Sequence, residues 1–438
     1  MQRIVIHKFG PIHHCEMDMD DFIVCTGPQA SGKSTLAKTI FFFKNLKNLM
    51  LAQFVRGYLL QEESGAMAAP MPFSNRFLKE MRSNFLQIFG STWYMEQDMW
   101  LLYYYSEDTF VKISLRPGAD TPNDIWIEYS KDIGDMLASL DKIQKEHHEH
   151  FDPVRDMVRR QIEELLDDDR EVVYIPAGRS MITLLSTQLN YLYSSMDDIQ
   201  KRSLDYCTQN YLERILRLKG SFAEDMEQII CNAVTFTENK LDRQLLCEMT
   251  ELMRAVLQGE YRNVNGEERL QLTGDKYVKI NFASSGQQEV MWILNVLFYY
   301  VLNGRKAYFI IEEPESHLFP AAQKLVTEYI SLAKSAWENQ FFVTTHSPYI
   351  LSTVNNLLYA DRISGIVPAD ELNEIIPRDR WLEFQRMAAY FIQDGKVHSC
   401  TDDEFQSIED EVIDGAAADI NTAFEKMILL KEKYSEEE

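Results

Sequence analysis

The sequence predicts an α/β protein: a mixed sheet flanked by helices, with a phosphate-cradling loop at one edge and a large, mostly helical insertion. Three observations carry that prediction. "GPQASGKST" (27–35) follows an apolar strand and opens a helix. "AYFIIEEPESHLFP" (307–320) is an apolar run that delivers two carboxylates to its end. "FFVTTHSPYIL" (341–351) is a second apolar run, ending on a histidine. Short apolar runs bounded by turn residues read as buried strands, and strand–helix alternation reads as an α/β sheet.

Along the chain, "RIVIHKF" and "DFIVCTG" are β-rich, and a helix begins near Lys33 and runs through "TLAKTIFFF". "LMLAQFVRGYLLQ" and "NRFLKEMRSNFLQIF" have helical spacing, whereas "MWLLYYY", "DTFVKISL" and "DIWIEYS" are three candidate strands. Residues 131–170 read as helix with a break at "FDPVRDM", where Asp152 as N-cap and Pro153 at the first helical position would restart it. "EVVYIPAGRS" (171–180) is a buried strand closed by a Pro-Ala-Gly turn, and 190–258 is dominated by helical periodicity. A hairpin-like "EYRNVNGEERLQL" and the alternating "KYVKI" (276–280) follow, then helix–strand–helix–strand order over 281–365. The tail segment "YFIQDGKVHSCTDDEF" reads as a short hairpin and then a helix. This divides the chain into a core of 1–45 and 270–370, joined by strands near 100–130 and 171–176. A mainly helical insertion or lid spans 46–269, and a closing hairpin, helix and acidic tail span 371–438.

The first motif fits G-x-x-x-x-G-K-[ST], from Gly27 through Gly32, Lys33 and Ser34. Glycines let the backbone wrap phosphates so that successive N–H groups point inward. Lys33 supplies positive charge, and the Ser34 hydroxyl can ligate Mg²⁺. In the second motif, Glu312 and Glu313 stand at the C-terminal end of a buried strand, where open α/β sheets place their ligands. Adjacent strand residues point to opposite sides, so the two carboxylates should play different parts: one on hydrated Mg²⁺, one on a water. Buried glutamates without a cation would be costly. His346, one strand-and-helix unit later, is placed to reach a γ-phosphate.

"NFASSGQQEV" (281–290) puts a small polar patch between "KYVKI" and the apolar "MWILNVLFYYVL". Ser and Gly at a helix N-terminus suit an anion. Phosphate loop, "SSGQQ", "IIEEPE" and "TTHS", in this order, resemble the ABC-type ATPases. With "PAGRS" and "SPYILSTVNNLLYA", the chain is similar to the soluble bacterial AAA ATPases related to RecF, SMC heads and the OLD family. The resemblance covers roughly 1–45 and 275–365. It implies an ABC-type ATPase head that binds and hydrolyses Mg-ATP. Gly27, Ala30, Ser31, Gly32, Lys33, Ser34 and Thr35 would hold the nucleotide, with Ser34 and Glu312 on Mg²⁺. Glu313 would be the general base and His346 the γ-phosphate sensor. Ser285, Gly286 and Gln288 would cap the phosphate of a second head, so that a homodimer holds two composite sites. Ser284 stands where the usual signature has Leu, Gln287 where it has a second Gly, and Glu312 where transporter-type ATPases have Asp. Gln87 is a candidate Mg²⁺-sensing glutamine by position alone.

Bulk properties narrow the function further. The chain has 438 residues, 45 % hydrophobic and 26 % charged, with ample apolar content for a core. Its net charge of −24 argues against nucleic-acid binding by bulk electrostatics but leaves room for a local basic track. Six cysteines without a CxxC pair read as reduced thiols. The longest apolar stretch, 290–302, is shorter than the about twenty residues a bilayer requires, and the N-terminus is not signal-like. A cytoplasmic protein is expected.

"HHEH" (147–150) and the acidic clusters "EELLDDD" and "SEEE" read as solvated faces, and "LLYYYS" (101–106) as strand core. Arg179 could contact nucleotide or a dimer partner, or cap a turn. Arg202, Arg214, Arg217 and Lys219 could follow a phosphate backbone or form an ordinary helix surface. About ninety residues follow His346, too few for an appended Toprim nuclease domain and the closing elements of a head. The reading is therefore an ATPase switch acting on nucleic acid, or through a partner in bacterial repair or anti-phage defence. The alternative is an ATP-gated scaffold or sensor controlling a separate nuclease or toxin.

Overall fold

A computed structural model describes residues 1–64, 71–91, 95–116, 125–146, 151–183, 205–236, 242–272, 274–409 and 427. Three strands open the chain, β1 (Arg3–Phe9), β2 (Ile12–Asp18) and β3 (Phe22–Thr26). Helices α1 (Lys33–Lys44), α2 (Leu46–Ser64) and α3 (Phe73–Phe89) follow. Next come β4 (Trp100–Tyr104), β5 (Phe110–Leu115), β6 (Ile125–Tyr129), α4 (Lys131–Glu146), α5 (Phe151–Leu165) and β7 (Glu171–Ile175). Helices α6 (Tyr206–Leu218), α7 (Met226–Phe236) and α8 (Arg243–Leu257) precede a three-stranded ribbon of β8 (Glu260–Val264), β9 (Glu267–Gln271) and β10 (Tyr277–Lys279). The second half of the core is α9 (Ser285–Leu302), β11 (Ala307–Glu312), α10 (Pro320–Ser335), β12 (Gln340–Thr345) and α11 (Pro348–Ile363). A short α12 (Ala369–Ile375) leads to β13 (Met387–Gln393), β14 (Lys396–Ser399), β15 (Thr401–Asp402) and β16 (Ser407–Ile408).

Eleven strands form one mixed sheet in the order β6-β5-β4-β1-β2-β14-β13-β3-β12-β11-β7. Strands β13, β3, β12, β11 and β7 run parallel to one another. Those in the middle of this group are buried from end to end, because helices cover both faces. The period of two sorts their side chains between two cores. Phe22, Val24, Phe309, Ile311, Phe341 and Val343 pack on the side of α8 to α11. Ile23, Cys25, Tyr308, Ile310 and Phe342 pack on the side of α1 to α5. Helix α9 is apolar around its circumference and correspondingly buried, with Trp292 edge-on to Tyr261 and Phe222.

The other half of the sheet is antiparallel. β1 pairs with β2 and β4, and β4–β6 form a meander whose residues alternate between buried and half-buried in β4 and β5 and between buried and exposed over most of β6.

Two local expectations are corrected. Helix α5 begins at Phe151, so Asp152 lies in its first turn instead of capping it. The segment after the β13–β14 hairpin is the small ribbon β15–β16, not helix, and in its turn the amides of Glu404 and Phe405 donate to the Asp402 carboxylate. Helix α9 begins at Ser285, with Ser and Gly at its N-terminus as expected, and Ser284 and Gln287 form a reciprocal capping box there. "HHEH", Arg202 and the acidic "SEEE" lie outside the described residues.

Candidate functional site

The register of the parallel strands assembles the site. Glu312 lies beside Thr344, and Thr344 beside Cys25; one step on, Thr345 lies beside Thr26. The strand leading to the phosphate loop, the strand ending at His346 and the strand ending at Glu312 therefore finish together. Thr26 is followed by the loop, Thr345 by His346, and Glu312 by Glu313.

The loop has the backbone that its glycines allow. Gly27 has φ 145° and packs so closely under β13 that a Cβ would sit 2.3 Å from the Ile392 carbonyl oxygen. Gly32 has φ 113°, and a Cβ there would press on Ile12. Ala30 is left-handed as well, at φ 60°. Pro28, Gln29 and Ala30 are exposed, Ser31 and Thr35 are partly covered, and Ser34 is exposed at the start of α1. Lys33 is buried, and its ammonium donates to the carbonyl oxygens of Gly27 and Pro28, each at 2.8 Å. Burial pulls its pKa down, while Glu313, Glu315 and Glu312 oppose that fall.

Glu312 is the last residue of β11 and is buried. One of its oxygens accepts from the Ala177 amide at 3.3 Å, and the other has no partner. Glu313 does not continue the strand alternation expected of it. It turns left-handed at φ 44°, a conformation that costs about 1–3 kcal/mol outside glycine. Its amide donates to the Thr344 carbonyl at 2.9 Å, its own carbonyl accepts from Arg179 at 2.8 Å, and its carboxylate accepts from Ser316 at 3.1 Å. His346 Nε2 lies 3.5 Å from Glu313 Oε1. Burial and then the Lys33 charge hold the His346 pKa below its ordinary value, against Glu313 and a bond to Gly27.

Two acidic residues escaped the sequence reading. Glu315 accepts from the Thr345 hydroxyl and the His346 amide, both at 2.7 Å, and so aims the histidine. Burial raises its pKa, and its second oxygen has no partner. Glu289 is buried in α9, where it accepts from the amides of Arg179 and Ser180, each at 2.9 Å. A lone carboxylate in "QQEVMWIL" was the available signal.

Arg179, left open on sequence, is fully buried. Its guanidinium donates to the carbonyl oxygens of Glu289, Pro176, Glu312 and Glu313 at 2.6–2.9 Å. It ties α9 to the turn that carries both candidate catalytic carboxylates.

Ser285 is exposed, whereas Gly286 is buried against the next turn of that same loop: a Cβ would lie 2.6 Å from the His317 carbonyl oxygen. Gln288 points inward, its amide bonded to the carbonyls of Ile280 and Ala283, so it is a strut and not an outward-facing cap. Among the described residues no hydrogen bond joins 281–290 to the phosphate loop of the same chain. Gln87 stands half-buried in α3.

The residues fit Mg-nucleotide. The loop supplies the left-handed turns at Gly27, Ala30 and Gly32 and a lysine, and Glu312 and Glu315 each hold a buried oxygen in want of a partner. No cluster of three or more His, Cys, Asp or Glu able to hold a metal occurs among the described residues. A cation here would be shared with the nucleotide's phosphates, as is usual for Mg²⁺.

Residues 171–351 match the AAA ATPase domain family. The match runs from the first residue of β7 through His346; the phosphate loop, outside it, rests on its own motif and geometry. Several solved structures are similar over most of the chain. An SMC head bound to the C-terminal winged-helix domain of ScpA is 12 % identical, covering 92 % of this chain and 98 % of its own, at a TM-score of 0.41. The Pyrococcus furiosus Smc head with an extended coiled coil, bound to the C-terminal domain of ScpA, is 14 % identical (91 % and 96 %; TM-score 0.38). The Thermotoga maritima SMC head is 10 % identical (91 % and 97 %; TM-score 0.36). The described residues contain no helix long and apolar enough to cross a membrane.

Proposed function

We propose that this chain, an ABC-type AAA ATPase, switches by ATP-dependent pairing of two heads and passes that switch to an effector protein or a nucleic acid. The observation that carries the reading is the strand register. It brings a lysine-bearing phosphate loop, two carboxylates and a histidine to one edge of a parallel sheet.

The roles follow from chemistry. Loop amides and Lys33 bind the β- and γ-phosphates, with Ser34 and Glu312 on the cation side. Mg²⁺, when bound, neutralises charge on the transferring phosphoryl group and orients it. Glu313 takes a proton from water. Its left-handed turn, held by Arg179 and Thr344, aims the carboxylate away from the strand axis. His346, neutral near pH 7, offers a hydrogen bond to the γ-phosphate without competing for the Glu313 charge.

Ser285 supports the pairing. It is an exposed hydroxyl at the first turn of an eighteen-residue helix whose next residue is buried on the catalytic turn. A second head could place its γ-phosphate there, where amides and hydroxyl converge. Opposed phosphate sites would make a closed homodimer with two composite sites, and that closed surface would be what an effector in repair or anti-phage defence recognises.

A positioned general base contributes about 10²–10⁴ in rate. Glu313→Gln is expected to lower ATP turnover by that order while ATP affinity, read by equilibrium titration with a fluorescent analogue, stays within a few-fold. Normal turnover in Glu313→Gln would remove the assignment.

A further inference from the structure

A cavity of about 740 Å³ opens at the far edge of the sheet from the phosphate loop, where β7 and β11 begin. Those strands are five and six residues long, so the two sites are separated by roughly 15–20 Å of strand. Its lining is anomalous for a chain of net charge −24: seven cationic side chains against three carboxylates. They come from α2, α5, α6 and the turns before β7 and β11, segments far apart in sequence.

Three of the cations already have partners. Lys47 lies 3.2 Å from Asp168, Arg214 bonds Glu171 at 2.6 Å, and Lys306 lies 3.1 Å from Asp169. The mouth is different. Arg159 and Arg217 are exposed, and neither forms an ion pair or hydrogen bond with a carboxylate among the described residues. Arg305 lies 3.8 Å from a Glu171 that Arg214 already engages. Bringing like charges together from separate elements is unfavourable unless an anion joins them, and guanidinium groups are suited to bidentate phosphate contact.

The walls are not purely polar, since Leu49, Leu51, Ala52 and Ile162 also line the space. The Asn210 side-chain oxygen is buried without a partner. The volume is that of a small-molecule site.

We propose that this cavity binds a small molecule carrying several phosphate groups, with Arg159, Arg217 and Arg305 as the phosphate-reading residues. Its apolar wall would accommodate the uncharged part of such a ligand. The cavity shares no lining residue with the nucleotide site.

Inorganic tripolyphosphate, titrated calorimetrically into full-length Lys33→Ala protein, tests this without contribution from the phosphate loop. One site is expected, weakening as salt rises. Arg159→Glu combined with Arg217→Glu should cost at least tenfold in affinity. Lys396→Glu, an exposed charge reversal on β14, should leave binding within about twofold; circular dichroism and thermal melts confirm that each variant is folded. No binding to Lys33→Ala, or an equal loss in Lys396→Glu, overturns the proposal. So does tight binding of a 5′-phosphorylated single-stranded oligonucleotide where tripolyphosphate fails, which would make the cavity a strand-end site.

Discussion

His346 shows how a few neighbours set a residue's chemistry. Its ring stands between a lysine that disfavours protonation and a glutamate that favours it, and burial sides with the lysine. Its proton midpoint, followed by NMR, is therefore expected below the ordinary value of about 6.5. Lys33→Met should move that midpoint up, and Glu313→Gln should move it down. A midpoint above 6.5 in the unaltered protein would contradict this placement. The linkage has a definite sign: the folded pKa lies below the unfolded one, so the unfolded chain takes up the proton first. The resulting stability is complete above about pH 6.5 and is lost as pH falls through the folded value. Glu313 illustrates a second point at this scale. The strand pattern foretold a carboxylate at the sheet edge, but its left-handed backbone depends on Arg179 and Thr344, which are remote in sequence and carry no local signal.

At the scale of elements, Arg179 joins β7, β11 and α9 through one guanidinium. Arg179→Met would remove the guanidinium that lies 3.4 Å from the buried Glu289 carboxylate and donates to four carbonyl oxygens, and a loss of about 3–5 kcal/mol in denaturant unfolding is expected. Arg179→Met with Glu289→Gln, which removes the charge but keeps an acceptor at that position for the amides of residues 179 and 180, should recover part of that stability. It should not recover kcat, because the carbonyls of Glu312 and Glu313 still lack their donor; KM for ATP should change little. Normal turnover in the folded double variant would reduce Arg179 to a packing role. The elements that build the site were largely legible. β3, β11 and β12 are apolar runs closed by Gly, Pro or His, a pattern that burial on both faces imposes. The start of α9 was legible in principle, since Ser284 and Gln287 spell a capping box, yet their polarity and Gly286 resemble a loop. The order of eleven strands was not legible. Neighbours such as β2 with β14, or β13 with β3, are chosen by packing across long sequence separations, and local periodicity is silent on them.

Across the whole molecule, two cores hold one sheet, and its two edges differ in chemistry. One edge gathers a phosphate loop and three glutamates, while the other gathers arginines around a cavity. The central claim is that ATP joins two heads through Ser285. Its most direct test is the solution mass of Glu313→Gln by light scattering, with and without Mg-ATP, beside the same variant carrying Ser285→Arg. A monomer that doubles in mass with Mg-ATP, and does not double once Ser285→Arg is added, is the predicted result. A mass that ignores ATP, or doubles equally in both proteins, would contradict the account.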